Sequence, residues 1–319
     1  MSRFRSDVLH WFEAGRVSPG RELEVLRVAE MVPSRADWRD FLERLALWLG
    51  IVALAAAVVF FFAFNWDALG RFARFGLVEG AILAALVACW RLDLDGRAGK
   101  AVLLLLSLLT GALLALAGQT YQTGADSWEL FAWWAALILP WVLVGRFSPL
   151  WLLWLALLNL AVFLHFRDSW DGQDLLWALF GLNLVALIAW EAAHRAGLAW
   201  LRDDWPPRLV AVAAGAMATG LALWAILEDN DPPGGRWLAV LGYVLWLGGT
   251  YGWYRRLRPD LFMLAGGVLS VIITATALLS KHLLGTDSMF AFLFIGLAVI
   301  AMSAGGAIWL RSVHREQGG

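Results

Sequence analysis

From residue 45 to residue 310 the chain is a succession of apolar runs, each about one membrane thickness long, broken by short polar segments. A run of about 20 apolar residues, wound as a helix, matches the roughly 30 Å hydrocarbon core of a bilayer. In lipid every backbone N–H and C=O must be satisfied within the protein, which leaves helices or closed barrels. Runs this long and this continuously apolar select helices. The sequence therefore predicts an all-α fold, a polytopic transmembrane helical bundle of about ten spans. They fall near 45–63, 72–90, 100–118, 128–144, 149–166, 174–193, 208–227, 237–254, 261–279 and 288–310. The fourth span carries Pro140 and its boundary with the fifth is weak, so eight or nine spans stay open. Composition agrees: 61% of residues are hydrophobic and 16% charged, where soluble domains carry roughly 25% charge.

Charge sets the orientation. If residue 1 lies inside, twenty of the 25 Lys and Arg residues fall in inner segments. That bias is what the positive-inside rule requires, and it puts both termini in the cytoplasm. Trp66, Trp90, Trp128, Trp151, Trp170, Trp190, Trp237, Trp253 and Trp309 lie near span ends, as interfacial anchors do. The outer loops hold Asp168, Asp171, Asp174, Glu228, Asp229, Asp231 and Asp287, an acidic face that attracts cations. No basic arm or groove-reading motif points to nucleic acid. The single cysteine, Cys89, excludes an intramolecular disulfide.

Three regions follow: a cytosolic helical region at 1–44, a transmembrane domain at 45–310 and a cytosolic tail at 311–319. In the first, Ser18-Pro19 starts a helix through Glu22, Leu23, Leu26, Val28 and Ala29 that stops before Pro33. A short helix around Val8–Phe12 precedes it, ending at Gly15. Ser34 and Asp37 have cap spacing and lead into Trp38, Phe41, Leu42 and Leu45. The region is too small for a catalytic domain and reads as a helical cap on the membrane part.

The segment Gly118–Glu129 is the most polar stretch between two apolar runs and faces outside in this topology. Gln119, Gln122 and Thr123 share a face if the third helix continues outward. Asp126 and Glu129 have capping-box spacing for the fourth span, and Tyr121 fits an interface anchor. Capping and ligand binding account for these residues equally well. The first outer loop adds Asn65, Trp66 and Asp67. Glu79 lies several residues into the second span, where an ionisable group is costly and points to function. Gly76 and Gly80 flank it in a Gly-x-x-x-Gly pattern for close helix approach, and Arg71 and Arg74 lie one to two turns outward as ion-pair candidates. Together Asn65, Trp66, Asp67, Glu79, Gln119, Tyr121, Gln122, Asp126 and Glu129 form the candidate ligand-binding set, with no catalytic or metal residue and no cofactor assigned.

Other signals are weaker. Asn159 and Asn183 are single amides in the fifth and sixth spans, explained by interhelical hydrogen bonding. Glu191-Ala-Ala-His194 has a di-iron spacing without its second copy, and falls where a histidine caps carbonyls. His165 beside Asp168 is a poor metal pair. Gly96-Arg-Ala-Gly99-Lys100 lacks phosphate-loop spacing, and no nucleophile elbow appears.

The segments Leu47-Trp-Leu-Gly50, Ala63-Phe-Asn65-Trp66-Asp67 and Gly118-Gln-Thr-Tyr121-Gln-Thr-Gly-Ala-Asp126-Ser-Trp-Glu-Leu-Phe-Ala-Trp133 carry a family resemblance. With Trp11-Phe-Glu-Ala-Gly15-Arg-Val-Ser18-Pro, they resemble the bacterial "domain of unknown function 2157" membrane proteins over about residues 5–165. The resemblance implies a multi-spanning inner-membrane protein without an assigned activity, and carries over no catalytic residue. Three functions are weighed: a transporter-like protein binding a small molecule or cation at the outer face, a non-catalytic scaffold with a protein partner or as a homo-oligomer, and, last, an enzyme on lipid-linked substrates using Asp126 or Glu129.

Overall fold

The computed structural model describes residues 10–318 except 13, 15, 19, 22–23, 27–31, 65–69, 122–123, 125, 168–171, 202, 229–232 and 284–288. All regular structure among them is helical. Ten long helices appear in order. They are α1 (Arg35–Phe64), α2 (Arg71–Arg91), α3 (Arg97–Tyr121), α4 (Ser127–Gly145), α5 (Ser148–Arg167), α6 (Gly172–Arg195), α7 (Trp205–Leu227), α8 (Pro233–Gly252), α9 (Leu261–Leu283) and α10 (Met289–Gly318). Eight of them, all but α1 and α8, are long and apolar enough to cross a membrane among the described residues. The 20-residue α8 carries six glycines, and glycine gives a helix little apolar surface. The weak boundary at residues 128–166 separates into two helices, α4 and α5, through Arg146 in the left-handed region at φ 44°.

Of the N-terminal region, residues 10–12 and 24–26 are helical; Gly20, in the left-handed region at φ 94°, and Arg21 are not, so the second helix does not start at Ser18-Pro19 as expected, and residues 8–9, 22–23 and 27–31 lie outside the described residues. The expected cap at Ser34 forms: the Ser34 N–H and hydroxyl each donate to the Asp37 carboxylate at 2.7 Å, and the Asp37 N–H donates to the Ser34 hydroxyl at 3.2 Å. From there α1 runs unbroken through residue 45 to Phe64.

The chain forms two compact units, residues 1–113 and 114–319. In the first, Asp40 accepts from Arg44 one turn on and from Arg97 at the start of α3. The Arg97 hydrogen bond holds the Asp40 carboxyl below the usual carboxylate range.

In the second unit successive helices pack antiparallel. α7 is central: Pro206 and Pro207 open it, and small residues such as Ala214 and Ala218, both fully buried, let α6, α8 and α9 approach closely. With little hydrophobic force between helices in lipid, packing and buried hydrogen bonds must hold them. Asn183 on α6 donates to Asn159 on α5 at 2.6 Å, and Asn159 donates back at 3.3 Å. The Tyr243 hydroxyl on α8 meets Ser270 at 3.0 Å and Thr274 at 3.1 Å on α9, and Ser270 meets Thr219 on α7 at 2.7 Å. Interhelical hydrogen bonding is thus the role of the two asparagines.

Candidate functional site

The polar segment of the second unit that the sequence singles out lies between α3 and α4. Gln119 and Tyr121 are exposed on the last turn of α3; Gln122 lies outside the described residues, as do Asn65, Trp66 and Asp67. Asp126 is the N-cap of α4 by backbone conformation, φ −65° and ψ 147°, but its side chain makes no cap hydrogen bond. The Glu129 N–H donates to the Asp126 carbonyl at 3.0 Å. The expected box therefore exists in position, while the Asp126 carboxylate stays exposed and uncommitted to the helix. Glu79 belongs to the first unit and is exposed on α2, beside the buried Val78. Gly76 and Gly80 are exposed too, and a Cβ on either would meet nothing within 4 Å.

His165 packs edge-on against Trp128, with ring centroids 4.8 Å apart. His194 Nδ1 lies 2.9 Å from the Leu201 carbonyl, the carbonyl contact expected of it. Among the described residues no cluster of three or more His, Cys, Asp or Glu side chains is arranged for a metal ion.

The strongest concentration of buried charge lies at the other end of the same unit. Glu191, on the last turn of α6, is 5% exposed. Arg258 donates to both its oxygens, at 2.8 and 2.9 Å. The Tyr254 hydroxyl donates to the same carboxylate at 3.0 Å and the Trp253 ring N–H at 3.4 Å. Arg258 also donates to Asp204, ahead of α7. Burial pulls the Arg258 pKa down, and its bonds to Glu191 and Asp204 more than reverse this, leaving it above the usual arginine value. Beside this group Arg208 donates to the buried Asp260 at 3.0 Å, and Asp260 accepts from the Phe262 N–H at 2.9 Å, capping α9.

A local change of winding brings these residues together. After Gly252, residues Trp253–Leu257 form one turn of π-helix. A π-turn adds a residue to the turn and shifts the side chains that follow around the axis, a device frequent at functional sites. Here it turns Trp253 and Tyr254 toward α6, and Arg258 follows. Glu191 enters the sequence reading only through its spacing to His194. Its partner Arg258 is 67 residues away, which no spacing rule reaches. The available signal was Glu191 beside Trp190 in an apolar helix, with Gly248, Gly249 and Gly252 and then an arginine run at the matching end of α8.

Between α6 and α8 lies a cleft of about 740 Å³, with the exposed side chains of Ile188, Leu238, Leu241 and Leu245 on its walls. Leu184 lines it too, Phe180 and Trp246 meet edge-on within it, and Glu191 and Arg195 stand at its polar end. The Arg195 guanidinium lies over the Trp253 ring, 3.9 Å from its centroid. Gly249 lines the cleft, and a Cβ there would meet nothing within 4 Å. Gly242 differs: a Cβ there would sit 2.5 Å from the Trp177 ring, so this glycine lets the indole lie against α8.

No curated protein and no solved structure matches the chain. The cleft and its charged end lie wholly beyond residue 151, where a family match to the chain stops. That match spans residues 9–151, which fit the family model described as "Predicted membrane protein (DUF2157)", the family this segment resembles.

Proposed function

We propose that this is a ten-span protein of a bacterial inner membrane, with both termini in the cytoplasm, that binds a small amphiphilic ligand in the cleft between α6 and α8. The cleft carries the reading: its walls are apolar, several of them exposed on the flanks of α6 and α8, and a held ionic group stands at one end. Ligand sites are mostly apolar with a few placed polar groups that fix orientation. In a membrane, walls exposed on helix flanks are within reach of molecules dissolved in the lipid. Binding or transporter-like carriage fits this arrangement, and no catalytic group is assigned.

The test is a thermal-shift screen of the purified chain with short-chain amphiphiles, comparing wild type with Gly249→Phe. The phenylalanine fills open space, so the variant folds with its cleft blocked. Ligand binding to the native state raises the melting temperature of wild type and leaves Gly249→Phe unmoved. Equal shifts in both proteins sink the cleft reading.

A second reading keeps the outer face, because the exposed Asp126 carboxylate is not used as a cap. In it Gln119, Tyr121, Gln122, Asp126 and Glu129 take a cation or polar metabolite. It predicts a shift with metal ions or small metabolites that the Gln119→Ala/Asp126→Asn double variant loses. A shift that survives the double variant counts against it.

A further inference from the structure

The charged end of the cleft restricts what occupies it. Glu191 already accepts four hydrogen bonds, two from a single Arg258 nitrogen and one each from Tyr254 and Trp253. A carboxylate has about four acceptor positions, so it has no capacity left for a cationic headgroup. Arg258 divides its guanidinium between Glu191 and Asp204. Among the described residues that line the cleft, Arg195 is then the charged group left to meet a ligand. It is exposed and its guanidinium lies over the face of Trp253, a stacking contact that uses the guanidinium's face rather than its N–H edge. Such a fork suits a planar or tetrahedral oxyanion.

The cleft also has the length for an acyl chain. Trp177 and Arg195 mark its ends along α6, and at 1.5 Å per residue they are roughly 27 Å apart. Half the hydrocarbon core is about 15 Å, so the cleft covers more than one leaflet's depth of tail. Its polar end lies at the helix ends that the charge bias puts on the cytoplasmic side.

We infer that the cleft holds an anionic phospholipid, its tail between α6 and α8 and its phosphate on Arg195. The inference rests on the proposed ligand cleft and names the class of ligand. The experiment is native mass spectrometry of the full chain in mild detergent, titrated with phosphatidylglycerol or with diacylglycerol of the same tails, which lacks the phosphate. Wild type, Arg195→Gln and Gly249→Phe are compared. One charge-assisted hydrogen-bonded contact is worth about tenfold or more in affinity, so wild type should hold phosphatidylglycerol at least about tenfold more tightly. Arg195→Gln should bring the two lipids to within about twofold, and Gly249→Phe should lose both. Equal binding of the two lipids by wild type, still lost in Gly249→Phe, overturns the anionic assignment and leaves the cleft reading standing. Lipid binding that Gly249→Phe does not change overturns both. A change of oligomeric state in Gly249→Phe, with lipid binding intact, makes the cleft a contact between copies and overturns both as well.

Discussion

The two ends of the second unit treat polar residues in opposite ways. At the end holding residues 118–129 the polar groups are neighbours in sequence, and Gln119, Tyr121 and Asp126 lie exposed, Asp126 even declining the cap bond its position offers. At the other end Glu191, Asp204, Tyr254 and Arg258 come from three separate segments and interlock, with Glu191 and Tyr254 buried. Local clustering in sequence marks where water reaches the chain. Buried charge marks where the fold has been made to converge, and the second is the stronger sign of a built site, because an unpaired buried charge is intolerable.

The largest expected effect tests that contrast directly. Arg258→Ala leaves the buried Glu191 carboxylate without its main partner. Removing one member of a buried pair costs about 3–5 kcal/mol, while Asp126→Ala should stay within about 0.5 kcal/mol. Reversible unfolding in mixed micelles measures both. Comparable losses at the two ends would dissolve the distinction.

The sequence carried much of the fold and less of the site. The ten helices lie where apolar length puts ten spans, and the Ser34–Asp37 cap and the Asn159–Asn183 pairing follow from residue type and spacing. Those features are local, or depend on one amide needing another in lipid. The Glu191 group is neither. It needs a π-turn after Gly252, which no propensity announces, and a carboxylate and guanidinium brought together through two intervening helices. Glu79 drew notice as an ionisable residue within a span, yet it lies exposed, while Glu191, nearer a span end, is the buried one.

Midway between the two ends, the asparagine pair separates burial from charge. Asn183 is 1% exposed and its amide bonds both Asn159 and the Leu179 carbonyl. Asn183→Leu strands Asn159 and should cost about 1–2 kcal/mol. The double variant Asn159→Leu/Asn183→Leu should cost less than the single one, because nothing is then left unpaired. Unfolding free energies of the three variants form the cycle; a strictly additive double variant would show that the pair is not coupled.

Within the charged end, Tyr254→Phe removes one donor to Glu191 and leaves Arg258 in place. About 1 kcal/mol is expected, the usual net worth of one hydrogen bond. In an Arg258→Ala background the same change should cost more, since the hydroxyl is then the chief remaining donor. An equal cost in both backgrounds would mean that the residues act independently rather than as one group.

The smallest effect sets the uncommitted Asp126 against Asp37, the carboxylate at the start of α1. Hydrogen bonds from the Ser34 hydroxyl and N–H lower the Asp37 pKa. A group whose folded pKa is depressed contributes stability above its unfolded pKa, about 3.9 for aspartate, and loses it as pH falls through the folded value. Acidification from pH 7 to below that value should therefore loosen the first turn of α1, read as faster exchange of the Ser34 and Asp37 amides after correction for intrinsic rates. Asp37→Asn should show the looser turn throughout and remove the pH dependence, while Asp126→Asn should change little at the start of α4, where no side-chain cap bond exists to be lost. If protection at α4 instead followed the charge of Asp126, the carboxylate would be acting on that helix through its dipole alone, and the outer end would be less idle than its hydrogen bonds suggest.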